Sequence, residues 1–319
     1  MSAYVAEYFG QRTDAPGNII PIEIPRNSNG KIAWTSASDI PKCPFSGGNS
    51  CKKLKSGYEP VCAVRNADGV LWLSCSERLC STKKDYPLCA HQVDILNKIS
   101  DCIFPPDLDP ENICVKREVS LSVVEGKAYH ADYIMTTDKG RSASSGPDRL
   151  VLEMQGGGET SDTGKLTDKI RAWREEEDPV NYMLMDLSSA SPLVTNAWRR
   201  QQEQFLIKGN VAMKTWKGLG IAFCVGTLLY DYLMERLSSA NLPDLREYNW
   251  TLALIAIRED KSKPVVDGPI PLEVDKDRIL YTNYQTFVQA LINQGEPSLD
   301  AFAGEFVNLN NEITLIPFN

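Results

Sequence analysis

The chain has 319 residues, with 34 Lys and Arg against 42 Asp and Glu, for a formal net charge of −8. That length allows one large domain or two modest ones around a sizeable core. The acidic balance argues against a non-specific nucleic-acid binder. The longest apolar stretches, such as 219–230, are interrupted by Gly or polar residues and are too short to cross a bilayer, so no membrane association is expected.

The first ten residues carry Glu7 and no basic cluster, which does not read as a secretory signal and points to the cytoplasm. Tyr4 to Phe9 form a short apolar start, followed by a Pro-, Asn- and Gly-rich linker from Pro16 to Gly30. Nine cysteines are present, eight of them between Cys43 and Cys114. In a reducing compartment such clustering favours metal binding or redox work over disulfides, and no CxxC is present to support a thioredoxin-type site. The segment 41–90 is rich in Cys, Lys, Ser and Gly and can bury little core by itself. Val61–Val64 and Val70–Leu73 flank Asn66-Ala67-Asp68-Gly69, a β-hairpin pattern.

Beyond Val115 the pattern becomes that of a mixed α/β sheet flanked by helices. Strands are predicted over 119–123, 129–135 and 149–155, the last ended by Gly156-Gly157-Gly158. A long helix is predicted over 198–217, a buried strand over 221–225, a helix over 227–237 and a strand over 250–257.

Two clusters carry chemistry. Glu153 and Gln155 stand two apart on a predicted strand and so share a face. Asp132 lies on the preceding strand. Carboxylates brought together this way suit Mg²⁺, which takes hard oxygen ligands and leaves room for water and a phosphate. Acid, gap, then acid-x-polar on a strand is the pattern of PD-(D/E)xK nucleases, except that Gln155 stands where a lysine is expected. Either the metal supplies the missing charge or a neighbouring basic residue such as Lys165 does. The bland alternative is a set of solvated strand ends. His130, two residues before Asp132, is a weaker candidate.

The second cluster is Cys43, Cys51, Cys62 and Cys75, four thiols within 33 residues and set on turns and hairpin arms. They suit a tetrahedral site for zinc or iron, with Cys80 and Cys89 as rival fourth ligands and scattered buried thiols as the plain alternative. Around them Lys42, Lys52, Lys53, Lys55, Arg65 and Arg78 form a candidate phosphate-contacting platform. Arg171, Arg174, Arg199 and Arg200 are candidates for reading guanine edges.

Several blocks together resemble the NotI-like type II restriction endonucleases. These are Tyr4-Val5-Ala6-Glu7-Tyr8-Phe9-Gly10, Cys43-Pro44-Phe45, Cys51-Lys52, Val61-Cys62-Ala63-Val64, Trp72-Leu73-Ser74-Cys75 with Arg78, Arg117-Glu118-Val119-Ser120-Leu121, and Leu152-Glu153-Met154-Gln155. The likeness covers scattered blocks of the first half and fades after Trp198.

The resemblance implies an N-terminal segment, 1–100, holding a four-cysteine module with one structural metal, iron in that family. It implies a PD-(D/E)xK nuclease domain over 101–319. Glu118, Asp132, Glu153 and Gln155 would form the active site, with Mg²⁺ held by Asp132 and Glu153. The enzyme would be a prokaryotic homodimer cutting double-stranded DNA at a palindromic, GC-rich site, alongside a cognate DNA methyltransferase. The competing readings are a non-catalytic DNA-binding protein built on the cysteine site and a structure-selective repair nuclease.

Overall fold

The computed structural model describes residues 3–15, 17, 19–79, 87–105, 108–121, 128–137, 146–158, 160–177, 191–215, 219–293 and 302–317. A small antiparallel sheet holds β1 (Tyr4–Tyr8), β2 (Gln11–Arg12), β3 (Val61–Arg65) and β4 (Leu71–Leu73), in the order β2-β1-β3-β4. The β3–β4 hairpin is the one the sequence predicts. Asn66 Oδ1 accepts from the N–H groups of Asp68 and Val70 at 3.1 and 2.8 Å, and Gly69 takes φ +76°, so the turn closes as such a sequence should. Two single-turn helices, α1 (Lys52–Lys55) and α2 (Ser76–Leu79), follow Cys51 and Cys75.

The larger sheet has six strands: β5 (Ile113–Leu121), β6 (Tyr129–Thr137), β7 (Arg149–Gln155), β8 (Gly220–Gly226), β9 (Leu252–Glu259) and β10 (Leu272–Thr282). Their spatial order is β10-β9-β8-β7-β6-β5. β7, β8 and β9 run parallel, while β5, β6 and β10 add antiparallel edges. β8 is buried at every position and reads as an unbroken apolar run, as a central parallel strand covered on both faces must.

Alternation along the strands divides the core into two layers. Tyr133, Met135, Leu150, Leu152, Ala222 and Ile255 face α3 (Ala90–Ile103) through its Ile95, Leu96, Ile99 and Ile103. Ala6, Ala63, Leu73 and Leu79 from the smaller sheet and its flank join the same layer, so the two sheets share one apolar core. Val151, Ile221, Phe223, Val225 and Leu254 face the other way. They meet α5 (Val194–Thr215), α6 (Thr227–Leu237) and α7 (Tyr284–Ile292). α4 (Thr163–Trp173) lies between β7 and α5 in the chain and packs Leu166, Ile170 and Trp173 against Val5, Tyr8 and Trp72 of the smaller sheet. A C-terminal hairpin, β11 (Gly304–Val307) with β12 (Ile313–Ile316), is solvent-exposed. Among the described residues no helix is long and apolar enough to cross a membrane.

The predicted mixed α/β sheet flanked by helices is therefore present. β7 and α6 match their predicted bounds, whereas β5 starts six residues before its predicted strand. Of the predicted ends, Ser122, Val123, Trp216 and Lys217 lie outside the described residues. The helices α3 and α4 and the strand β10 were not anticipated.

Buried ion pairs join the two sheets. Arg78 Nε donates to Glu7 Oε1 at 2.7 Å, with the two side chains 1 % and 0 % exposed. The remaining bonds of the pair go to one residue of the β9–β10 connection: Arg78 Nη2 donates to the Ile270 carbonyl, and the Ile270 N–H donates to Glu7 Oε2 at 2.9 Å. Arg65 grips Glu259 through two bonds of 2.6 and 2.7 Å, with Arg12 beside it. Arg65 and Arg78 are thus structural and not part of a solvent-facing basic platform, because each is drawn inward by a buried glutamate. Removing one partner leaves the other charge buried and unpaired. Glu7→Gln is expected to destabilise the protein by about 3–5 kcal/mol in urea unfolding; a loss under 1 kcal/mol would contradict this role.

Candidate active site

β5, β6 and β7 bring three acidic residues to one end of the six-stranded sheet. The β6–β7 ladder pairs Tyr133 with Leu152 but does not continue to the next pair. There the strands part, and Asp132 Oδ2 accepts the Met154 N–H at 2.9 Å. A side chain replaces a ladder bond, and the Asp132 carboxylate is thereby fixed beside Glu153.

The β5–β6 register pairs Arg117 with Tyr133 and Val119 with Ala131, so Glu118 falls opposite Asp132. Glu118 has φ +45°, a left-handed conformation that costs a non-glycine residue about 1–3 kcal/mol. The carboxylate of Glu118 acts electrostatically on Asp132.

Glu153 is 4 % exposed. Its Oε2 accepts from Lys208 Nζ at 2.7 Å, an equally buried ammonium delivered by α5. Its Oε1 is buried with no hydrogen-bond partner. Burial raises the Glu153 pKa to about 8, assisted by the charge of Asp132 and opposed by Lys208. Burial also raises the Asp132 pKa, against the pull of the Met154 N–H and of Lys208 and with a further upward push from Glu118. One buried ammonium faces the buried carboxyl group of Glu153, the partly buried one of Asp132 and a nearby third, so the pocket is short of positive charge.

Gln155 lies on the same face as Glu153. Its Oε1 accepts from Gln201 Nε2 of α5 at 2.7 Å, and its Nε2 donates to the Gly157 carbonyl. α5 therefore meets β7 twice, through Gln201 and Lys208, which are two helical turns apart. Beside Gln155 opens a cleft of about 260 Å³ lined by Ser74, Ser76, Gly158, Asn196, Arg200 and Gln201. Its floor depends on glycine. Gly157 bridges Leu73 of β4, and a Cβ at Gly157 would stand 2.6 Å from the Leu73 carbonyl oxygen. The Trp72 indole donates to the Gly158 carbonyl at 3.1 Å, which further ties the hairpin to the end of β7.

The cysteine segment abuts this site. Lys52, next to Cys51, pairs with the buried Glu77, and its charge is felt by both Asp132 and Glu118. Cys43, Cys51 and Cys62 pack in one cluster with Ile24, Ile40, Phe45 and Leu54, and Cys75 is close enough to act electrostatically on all three. Burial pushes the Cys43 thiol up to about 11 and raises Cys51 and Cys62. Nearby backbone N–H groups of Phe45, of Leu54 and Lys53, and of Gly10 oppose this without reversing it, and Cys62 Sγ donates to the Pro60 carbonyl at 3.6 Å. Among the described residues, no three His, Cys, Asp or Glu side chains are grouped so that they could hold a metal ion. Cys89 donates to the Phe45 carbonyl at 3.5 Å, and Cys80 lies outside the described residues.

Other candidates sit elsewhere. Lys165 is exposed on α4 beside Asp162, so it does not supply the charge missing at Gln155. His130 is exposed opposite Ser120. Arg174 is bound to Glu59 and the Ile22 carbonyl, and Arg171 and Arg199 are exposed; Arg200, also exposed, is the exception and lines the cleft beside Gln155. Lys208 and Gln201 were missed because nothing in their local pattern distinguishes them from a solvated helix face. The register of α5 against β7 is what singles them out.

The chain matches no protein-family model and no curated protein.

Glu153 also gives the site a pH signature. The folded protein holds this proton more tightly than the unfolded chain does. The associated stability is complete below about pH 4.5 and is lost as pH rises through about 8. In a chelator, Glu153→Gln is expected to gain on the wild type by a few kcal/mol between pH 5.5 and 8.5. Parallel urea curves at the two pH values test this, and an unchanged difference would rule it out.

Proposed function

We propose that the protein is a Mg²⁺-dependent type II restriction endonuclease with a PD-(D/E)xK core and a four-cysteine metal module. The observation that carries this reading is the meeting of Asp132 and Glu153 at the parted ends of β6 and β7, with one buried Glu153 oxygen left without a partner. A carboxylate pair that is short of positive charge, with an orphaned oxygen, fits a hard divalent cation, which needs only one or two protein carboxylates plus water and phosphate. Asp132 and Glu153 would hold the ion, with Glu118 in support. When bound, Mg²⁺ supplies positive charge to a phosphoryl oxygen and makes water more acidic.

The protein's own groups set the geometry of hydrolysis. The Met154 N–H holds Asp132, Lys208 holds one oxygen of Glu153, and Gln201 holds Gln155 at the cleft wall. Water oxygen forms the new bond to phosphorus, the bond to the leaving oxygen breaks, and that oxygen keeps the electron pair and takes a proton. The water gives up its own proton to solvent. The cleft between Ser74 to Ser76 and α5, with Gln155 on its wall, would offer the DNA backbone a path at the end of β7. A homodimer would present two such sites to a palindromic, GC-rich sequence. In a prokaryotic cytoplasm a cognate methyltransferase would protect the host's own copies.

Four thiols are the donor set that iron or zinc takes, but among the described residues they are not grouped as a metal site, so binding would have to draw them together. Burial raises three of these thiols, so a bound metal would itself have to supply the charge that stabilises the thiolates it requires. In this role the metal would stiffen the turns that carry Lys52 and the hairpin beside Gly157.

Two measurements test the reading. Incubation of phage DNA with the protein and Mg²⁺ should yield discrete fragments. Asp132→Ala should abolish cutting yet retain DNA binding in Ca²⁺. Smeared products would instead favour a repair nuclease, and no cutting a DNA-binding protein. Elemental analysis should find one iron or zinc per chain, lost in Cys62→Ser together with a lower Tm; a metal content near zero in the wild type would remove the module.

A further inference from the structure

The structure places a buried cation where the sequence of β7 lacks one. Gln155, two residues beyond Glu153, is uncharged, and both ends of its amide are already engaged by Gln201 and Gly157. Lys208 reaches the same pocket from α5. Its ammonium is 2.7 Å from Glu153 Oε2, and the residue is 6 % exposed. An ammonium carries three donors, and Glu153 takes one. Burying a lysine is costly, and a buried ion pair is poor evidence of a stabilising role, since apolar residues of similar size commonly serve as well or better.

The helix is also held in place at this point. Tyr284 Oη of α7 donates to the carbonyls of Phe205 and Leu206, and the ring lies against Gly209, where any side chain would collide with it. The backbone carrying Lys208 is therefore fixed from behind, and the ammonium contacts Glu153 and acts electrostatically on Asp132.

We propose that Lys208 is the cationic catalytic residue of this site, using its remaining donors on a non-bridging oxygen of the scissile phosphate. This rests on the nuclease reading above. It assigns to a helix the charge that the strand motif lacks. The added negative charge on the phosphoryl oxygens as the water attacks is met by a fixed ammonium, and no proton transfer by Lys208 is required.

The test uses full-length Lys208→Gln, which keeps a donor but removes the charge, with Lys208→Arg as the charge-preserving variant and Lys165→Met as a surface control. Thermal melts establish that each is folded, and if Lys208→Gln is not, Lys208→Met takes its place. Binding of Mn²⁺, followed by loss of the free-ion electron paramagnetic resonance signal, and DNA binding in Ca²⁺ provide readouts independent of cutting. Lys208→Gln should bind Mn²⁺ and DNA within about 3-fold of wild type while its single-turnover cleavage rate falls about 100-fold or more, the usual effect of removing one transition-state donor. Lys208→Arg should recover part of the rate, and Lys165→Met should cut normally. Cleavage by Lys208→Gln within 10-fold of wild type overturns the proposal. So does joint loss of Mn²⁺ binding and cleavage, which would make Lys208 only a support for Glu153. If the wild type itself cuts no DNA, the nuclease reading fails first, a distinct result.

Discussion

The parting of β6 from β7 is the constraint on which the site depends. Two antiparallel strands would ordinarily continue their ladder, and a carboxylate at that position would project to one side. Here Asp132 takes the N–H of Met154 for itself, so the backbone group stays satisfied while the strands separate. The same bond orients Asp132 and opens the room that Glu153 needs. Glu118, opposite on β5, adopts a left-handed backbone at the same level, and the β5–β6 pairing skips that one position before resuming at Val119 and Ala131. Such strain persists only where the surroundings enforce it. The enforcement comes from the fully buried β8 and the β9 beyond it, exposed only at Arg258, and from the shared apolar core beneath.

That rigidity matters because the pocket opposes its own charge. Asp132 and Glu153 both have raised pKa values, chiefly from burial, and Lys208 compensates for them only in part. A looser scaffold would relieve the strain by swinging one carboxylate into water. The ties that prevent this are distant and electrostatic. Glu7 with Arg78 and Glu259 with Arg65 bolt the smaller sheet to the β9–β10 edge, and Gly157 lets β4 come down on the end of β7. The cysteine cluster lies on the same segment, so the folding of the two regions is mechanically linked. Arginines that looked like a DNA platform in the sequence turn out to be these bolts.

Sequence legibility follows the physics of each element. β7, β8 and α6 were readable because alternation, an unbroken apolar run and helical spacing are local signals. The hairpin at Asn66 to Gly69 was readable because its turn chemistry is local too. β10 was not, because Lys276, Asp277 and Arg278 interrupt its apolar pattern at an irregular stretch of the β9 pairing. α3 was masked by the cysteines around it and by Gln92, which is buried in the core and bonds the N–H of Cys89 at the helix start. Within the site, Asp132, Glu153 and Gln155 were visible as a strand pattern. That Gln155 would be tied at both ends, and that the basic partner of Glu153 would be Lys208 and not Lys165, was not.

The last point bears on how such motifs are read. A strand motif searches for charge at a fixed distance along the chain, but Coulomb interaction depends only on distance in space and on exclusion of water. Lys208 is 55 residues from Glu153 in sequence and 2.7 Å from it in the fold. Lys165 is only 12 residues away, yet exposed and paired with Asp162. A glutamine in the lysine position is therefore no measure of the charge at the site. Once α5 runs antiparallel to β7 with Gln201 opposite Gln155, the residue two turns further along that helix face, beyond Phe205, comes down on Glu153. The helix carries the amide and the ammonium as one unit, and the strand is free to use its third position for fixing geometry.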